Sequence, residues 1–534
     1  MLSYQGDGSK YRVVVIGAGI GGLTAAALLA RRGYEVSVFD QALVPGGCAS
    51  TFKRRGFTFD VGATQVAGLE TRGIHQQIFE DLEVEPPEAT PCDPACAVYL
   101  PGESEPINIW RNPEKWQQER RRQFPGSEPF WQLMATLFKA SWRFQARQPV
   151  LPPRNPWDLW QLASAVRPDT LMTLPFTFMT VGDALRGLRL YDNRRLRTFL
   201  DLQLKLYSQV NADETALLYA ATALGVSQEP QGIYHLHGSM QALSDRLVKA
   251  LKKHGGKLFM RHTVEQIHTK SGYPTGVTVR KQRTGETWTE TAEEVVANAT
   301  VQNLMKLLRV GTTRRVALTS SSPPLLKEGT SELFLRGYKR RVDQLPHASG
   351  AFVLYLGVDQ QAIPPGCPLH LQFLYDYDGP VGEKNSLFVS VSQPRDGRAP
   401  AGKATITASS FTDTRLWWRD TKKEYEALKQ DYVQTAIARL GEYFYLTPET
   451  IIHQEAATPR TFARFTARKS GIVGGIGQRV STFGPFGFAT RTPIQHLWLV
   501  GDSTHPGEGT AGVSYSALTV VRQIEAKRRS RLQL

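Results

Sequence analysis

Only four cysteines occur in 534 residues, Cys48, Cys92, Cys96 and Cys367, too few for a disulfide scaffold. Cys92 and Cys96, with three residues between them, match neither a redox nor a zinc motif, so a reducing compartment is expected. Long apolar runs are missing too. No stretch of 18 apolar residues exists, which excludes a transmembrane helix, and the polar segment 5–10 lacks the basic and apolar regions of a secretory signal. Acidic charge is in deficit: 49 Asp and Glu face 64 Lys and Arg, a net +15 with a pI near 9.6. Such a field favours anionic partners, either nucleic acid or an acidic bilayer. With no zinc-spaced Cys/His set and no nucleic-acid-binding signature, the balance tilts away from nucleic acid and towards lipid. Peripheral or monotopic contact with an anionic membrane, on its cytoplasmic face, is the expectation. His235, His237 and His262 have no ligand spacing, and no metal is expected.

Glycine, by contrast, is concentrated where it has chemical meaning. Residues 12–16 (Arg-Val-Val-Val-Ile) are a β-branched run suited to a strand buried on both faces of a parallel sheet. They run into Gly17-Ala18-Gly19-Ile20-Gly21-Gly22, which fits G-x-G-x-x-G at Gly17, Gly19 and Gly22. Ile20, Leu23, Thr24, Ala27 and Leu28 then repeat on one face of a helix ending near Gly33. A second strand, 35–39, closes on Asp40. Gly17 permits the tight turn, Gly19 lets backbone approach a pyrophosphate, and Gly22 lets helix and strand pack closely. The helix N-terminus offers free N–H groups to the phosphates. Asp40 stands about twenty residues on, where a carboxylate bonds a ribose hydroxyl. Strand, loop, helix, strand and acid together predict a dinucleotide clamp.

Beyond Asp40, Pro45-Gly46-Gly47 precedes Phe57-Thr58-Phe59-Asp60-Val61-Gly62, whose alternation predicts a strand. Directly after a Rossmann unit the stretch reads as a second contact to the same cofactor; the alternative is a glycine turn leading into an edge strand. The glycine motif, the acid, the Pro-Gly-Gly and this last segment together resemble the amino-oxidase-like flavoproteins, in particular the carotenoid desaturase and isomerase family. The pattern looks closest to the 3′,4′-desaturase branch known from cyanobacteria. The resemblance implies FAD, with Gly46, Gly47 and Gly62 as further contacts. It implies an α/β fold, a Rossmann-type FAD-binding domain discontinuous in sequence, with an inserted mixed α+β substrate domain. The FAD-binding domain is expected at 10–100, 232–308 and 485–530, and the substrate and membrane-facing domain at 101–231 and 335–484. Basic, Ser/Thr-rich 309–334 is expected to be a mobile loop. The strand after Gly255-Gly256 leads, by the same pattern, to Val264, whose backbone would meet the adenine. Residues 276–279, 287–291 and 295–298 suggest a β-meander.

The chain returns to the clamp at its far end. An apolar strand, Leu497-Trp498-Leu499-Val500, leads into Gly501-Asp502-Ser503-Thr504-His505-Pro506-Gly507-Glu508-Gly509-Thr510-Ala511-Gly512, and a last helix follows. Asp502 can accept from a ribityl hydroxyl. The helix N-terminus at Gly512 and Val513 can stabilise negative charge at the flavin N1–O2 edge. His505, on this loop, is a candidate general base; the alternative is a histidine that only stabilises the loop beside Pro506.

The middle of the chain would hold the substrate. Six of the ten tryptophans (Trp110, Trp116, Trp131, Trp142, Trp157 and Trp160) lie among Arg and Lys, as in an interfacial segment; buried helix faces are the alternative. Residues 171–179 contain Pro175 and read as a loop or broken helix. Strands at 351–356, 386–391 and 404–409 suit an antiparallel sheet flooring a hydrophobic tunnel, and 421–440 an amphipathic helix. The expected activity is desaturation of a C40 carotenoid by hydride transfer to flavin N5, with a quinone or O2 as final electron acceptor. Cis–trans isomerisation on the same fold is the rival. Amine or porphyrinogen oxidation would need polar groups in the pocket, and a carotenoid carrier would not need the full set of cofactor glycines.

Overall fold

The computed structural model describes residues 11–309 and 326–532. A five-stranded sheet lies at its centre, in the order Lys257–Met260, Glu35–Asp40, Arg12–Ile16, Glu294–Ala297, Leu497–Leu499. Every pairing in it is parallel. The pleat divides its apolar residues between two cores. Val13, Val15, Val36 and Val38 face helices Ile20–Arg31, Gln241–Lys253 and Thr510–Leu532. Val14, Ile16 and Phe39 face an antiparallel meander of His262–Lys270, Tyr273–Lys281 and Thr287–Thr291. Burial on both sides explains why the strand sequences are uninterruptedly apolar.

A seven-stranded sheet forms the second layer, in the order Ile451–Ala457, Gly350–Asp359, Lys403–Thr412, Ser386–Val391, His370–Leu374, Cys96–Tyr99, Ile107–Ile109. It is antiparallel except where His370–Leu374 meets Cys96–Tyr99. Phe352, Leu354, Leu356 and Val358 pack with Tyr432, Val433 and Ala436 of helix Lys422–Leu440. The alternate residues Ala351, Val353 and Tyr355 pack with Phe57 and Phe59 on the opposite face. Thr421 caps that helix with a reciprocal Thr421–Glu424 capping box.

Helices Pro113–Gln123, Glu128–Ala146, Arg194–Ser208 and Leu217–Gly225 build a third core around Trp116, Phe124, Phe130, Trp131 and Phe199. This corrects the interfacial reading of the tryptophan cluster. Trp116 and Trp131 are only 5% and 4% exposed, and Trp131 Nε1 donates to Ser127 Oγ at 3.1 Å. The Arg120 guanidinium lies over both rings, 5.6 and 5.1 Å from their centroids. Aromatic and cationic side chains alternate here to stack inside a helical core, a composition that an interfacial belt shares. Of the six, only Trp160 is strongly exposed, at 68%.

Three further readings change. Glu294–Ala297 is the fourth strand of the parallel sheet rather than part of the meander, because it is buried on both faces. Phe57–Asp60 is fully buried, covered by the second sheet, and so not a solvent-facing edge. Residues 326–334, expected in the loop, begin helix Leu326–Asp343, in which Leu335, Tyr338 and Val342 turn one apolar side to the meander core. The rest of that loop, 310–325, lies outside the described residues.

Candidate functional site

A cavity of about 1360 Å³ runs between the parallel sheet and the second layer. A pocket for one drug-sized ligand is typically about 300–1,000 Å³, so this one has room for two molecules side by side. One arm is lined by the glycine loops and the other by apolar side chains.

The glycine arm is shaped by what a Cβ would strike. Gly17 has φ +95°, and a Cβ there would stand 2.7 Å from Asn298 O; at Gly19 it would stand 2.6 Å from Asn298 Nδ2. Gly22 does not line the cavity: a Cβ on it would lie 2.1 Å from Gly17 O, so it serves the close packing of helix on loop. Gly17, Gly19 and Gly21 do line it, at the N-terminus of helix Ile20–Arg31. Asp40 closes the loop, its Oδ2 accepting from Ala18 N at 2.6 Å and its Oδ1 from Ala42 N at 2.7 Å. Burial raises its pKa, and these two N–H groups work against that rise. Gly46, with φ +116°, donates its N–H to Ala18 O at 2.7 Å, tying the Pro-Gly-Gly turn to the first glycine loop. Gly47, Gly62 and Val264 join them on the wall.

The far end of the chain completes the arm. Gly501, Asp502, Gly512 and Val513 all face the cavity. A Cβ on Gly21 would meet Val513 O at 3.2 Å, so the N-terminal turns of the first and last helices touch. Two positive helix ends therefore open on one space. Asp502 Oδ2 pairs with Arg468 Nη2 at 2.5 Å, leaving Oδ1 as its free face among the side-chain hydrogen bonds described. Burial opposes the Arg468 charge, yet Asp502 and Cys48 more than offset it and the guanidinium pKa is raised.

His505 is placed elsewhere. It does not line the cavity; its ring is buried between Phe483 and Tyr515, and Nε2 meets Gln145 Nε2 at 2.7 Å. Burial lowers its pKa to about 4, so it is neutral at physiological pH. His235 pairs with Asp396 at 3.0 Å, His237 with Thr90 at 2.7 Å, and His262 with the Met260 carbonyl at 2.8 Å, each held within the fold.

Sequence reading missed three residues here. Asn298 stands against Gly17, Gly19 and Gly22; its place directly after an apolar strand was the available signal. Arg468 and Glu508 carry no local signal, because their meaning lies in contacts with Asp502 and Gln209, far away in the chain. The apolar arm is lined by Trp142, Tyr207, Tyr219, Val353, Phe388 and Phe411, drawn from the helical core and from the cavity face of the second sheet.

Residues 15–82 match the NAD(P)-binding Rossmann-like domain family. Over its whole length the chain is similar to chloroplastic prolycopene isomerase 2 of an Oncidium hybrid cultivar, at 27% identity over 97% of this chain and 84% of that protein. It is similar to the zeta-carotene-forming phytoene desaturase of Myxococcus xanthus at 26% identity, over 96% of this chain and 93% of that one. Among solved structures, cyclohexylamine oxidase from Brevibacterium oxydans shares the fold, with a TM-score of 0.57 at 16% identity over 97% of this chain and 100% of that one. With a dinucleotide cradle formed from both ends of the chain and an apolar arm beside it, the chain is similar from end to end to carotenoid desaturases and isomerases and shares an amine-oxidase-like fold.

Proposed function

We propose that this chain is an FAD-dependent oxidoreductase that introduces a C=C bond, by 3′,4′-desaturation, into a C40 carotenoid dissolved in a membrane. The observation that carries the reading is the two-armed cavity: a polar cradle for an elongated dinucleotide runs directly into an apolar channel. The residues fit FAD. Gly17, Gly19 and Gly21 leave the space that a pyrophosphate needs at a helix N-terminus. Asp40 suits a ribose, the Val264 backbone an adenine, and the free Oδ1 of Asp502 a ribityl hydroxyl. The N–H groups at Gly512 and Val513 suit the pyrimidine edge of a flavin. A nicotinamide cofactor would have no use for this second, distant loop. When bound, the flavin supplies a two-electron acceptor at N5.

The protein's part is then to align and to exclude water. A polyene offers almost no hydrogen-bonding handle, so Val353, Phe388 and Phe411 act by shape, holding the chain at reacting distance. Release of the electrons to a quinone or to O2 completes the cycle. Access from a bilayer is supported by exposed Leu159, Trp160, Leu171, Met172, Phe178 and Phe486, with Phe178 and Phe486 in ring contact at 5.6 Å. Among the described residues no helix is long and apolar enough to cross a membrane, so the contact is peripheral, at the cytoplasmic face.

Similarity to a prolycopene isomerase favours a second reading, carotenoid cis–trans isomerisation on the same site. One experiment decides between them. Purified yellow protein is incubated anaerobically with C40 carotenes in liposomes. Desaturation bleaches the oxidised flavin band and yields a product two hydrogens lighter. Isomerisation yields a product of unchanged mass. An absence of flavin from the purified protein removes both readings.

A further inference from the structure

Glu508 is a half-buried carboxyl group for which the roles above have no use. It stands between Gly507 (φ +120°) and Gly509 (φ +86°), just before helix Thr510–Leu532, and lines the cavity. Two segments converge on it. Gln209, the left-handed residue that ends helix Arg194–Ser208, donates from Nε2 to Glu508 Oε2 at 3.0 Å. The turn at Gly474 and Gly475 is kept bare around it: a Cβ on Gly474 would lie 2.5 Å from Oε2, and one on Gly475 3.2 Å from Cγ. Oε1 is buried, with no geometrically aligned hydrogen-bond partner among the described residues. Glu508 as a whole is half-buried and lines the cavity.

The surrounding charges leave it unneutralised. Arg468, the cation whose field reaches it, is held by Asp502 at 2.5 Å. Lys205 donates to Gln209 O at 3.0 Å and Ser349 Oγ at 3.1 Å. Tyr219 is buried, with its pKa far above the usual phenol range, so it stays neutral. Burial first, and then the Asp502 charge, push Glu508 up to about 8, against the Gly475 N–H and the amides of Gln209 and Gln478. A carboxylate of that basicity is suited to general-base work near neutral pH.

We propose that Glu508 is the base of the desaturation, its carboxylate taking the proton that leaves the substrate. This rests on the desaturase reading. One substrate C–H bond breaks with its electron pair and passes as hydride to the flavin, which is reduced by two electrons. The C–H bond on the adjacent carbon breaks towards the Glu508 carboxylate; its electrons become the new π bond, and Glu508 becomes neutral. The proton passes to water once the product has left. His505, buried and away from the cavity, takes no part.

The test compares holoenzymes of wild type, Glu508→Gln and Glu508→Asp. In wild type, the anaerobic flavin-bleaching rate with liposomal carotene rises with pH to a plateau above about 8. Glu508→Gln keeps its FAD, bleaches about 10²–10⁴-fold more slowly and loses the pH limb, while Glu508→Asp restores part of both. A second readout needs no turnover. The visible flavin spectrum of wild type titrates near pH 8 as the neighbouring carboxyl ionises, and that of Glu508→Gln does not. Wild-type bleaching matched in rate and pH profile by Glu508→Gln overturns the proposal and leaves the desaturase reading standing. Failure of wild type to bleach with any carotene overturns both. Loss of FAD from both variants assigns Glu508 to cofactor retention and overturns the proposal.

Discussion

Gly22 leaves no space for even a methyl group, because the atom 2.1 Å from its Cβ position is the backbone oxygen of Gly17, which cannot swing aside. Gly22→Ala is therefore expected to destabilise the chain by about 1–3 kcal/mol and to empty it of flavin, read from the melting temperature and the absorbance per mole of protein. Asp502 is harder to change cleanly. Asp502→Ala removes the proposed ribityl contact and also strands a guanidinium that is only 20% exposed. Its cost is up to about 3–5 kcal/mol, and adding Arg468→Met is expected to restore stability in urea titrations without restoring FAD. His75 makes a pH prediction. It is buried, its Nε2 has no hydrogen-bond partner among the described residues, and burial lowers its pKa to about 4. The folded pKa lies below the unfolded one, so between these values the unfolded chain binds more protons. Stability is complete above about pH 6.5 and falls towards pH 4 by about 1.4 kcal/mol per unit for each such histidine. His505 adds to the slope. His75→Gln is expected to flatten it in denaturant titrations run from pH 7 to pH 5.

Single elements show where composition misleads and where periodicity does not. Two tryptophans of one cluster, Trp131 and Trp160, are 4% and 68% exposed. Trp131→Ala is expected to cost about 3–5 kcal/mol, through a cavity and the loss of the Nε1 hydrogen bond to Ser127, while Trp160→Ala stays within about 0.5 kcal/mol. Equal losses in chemical denaturation would contradict the assignment of the helical core. Strand Gly350–Asp359 had a period of two that was legible in the sequence, and the structure uses both of its faces, one for the core and one for the cavity. Helix Leu326–Asp343 was not legible, because Gly, Ser and Thr dilute its apolar period to Leu335, Tyr338 and Val342.

At the scale of the molecule, the net charge of +15 and the apolar segment from Leu159 to Phe178 act together. In the proposed bilayer contact, exposed side chains such as Trp160, Met172 and Phe178 would insert at the interface, and the positive field would hold the protein near anionic headgroups. Flotation with anionic liposomes is expected to succeed, to weaken as salt shortens the Debye length, and to fail when Trp160, Met172 and Phe178 are all replaced by Glu. Sedimentation of wild type with anionic and neutral vesicles alike would contradict this surface.

What the sequence by itself determined is local and periodic. The β-branched runs, the glycines at fixed offsets and the acid twenty residues on all lie within one supersecondary unit, whose geometry follows from steric rules over short stretches of chain. The repeat of such a unit at residues 497–513 was legible for the same reason. Only the tertiary structure decided which residues meet across hundreds of positions. It set Glu294–Ala297 between the strands Arg12–Ile16 and Leu497–Leu499, closed Arg468 on Asp502, turned His505 away from the cavity and Glu508 into it, and buried Trp131 while leaving Trp160 in solvent. Residue type and spacing carry no information on such choices, because they depend on which faces are covered when separate elements exclude water from a common core.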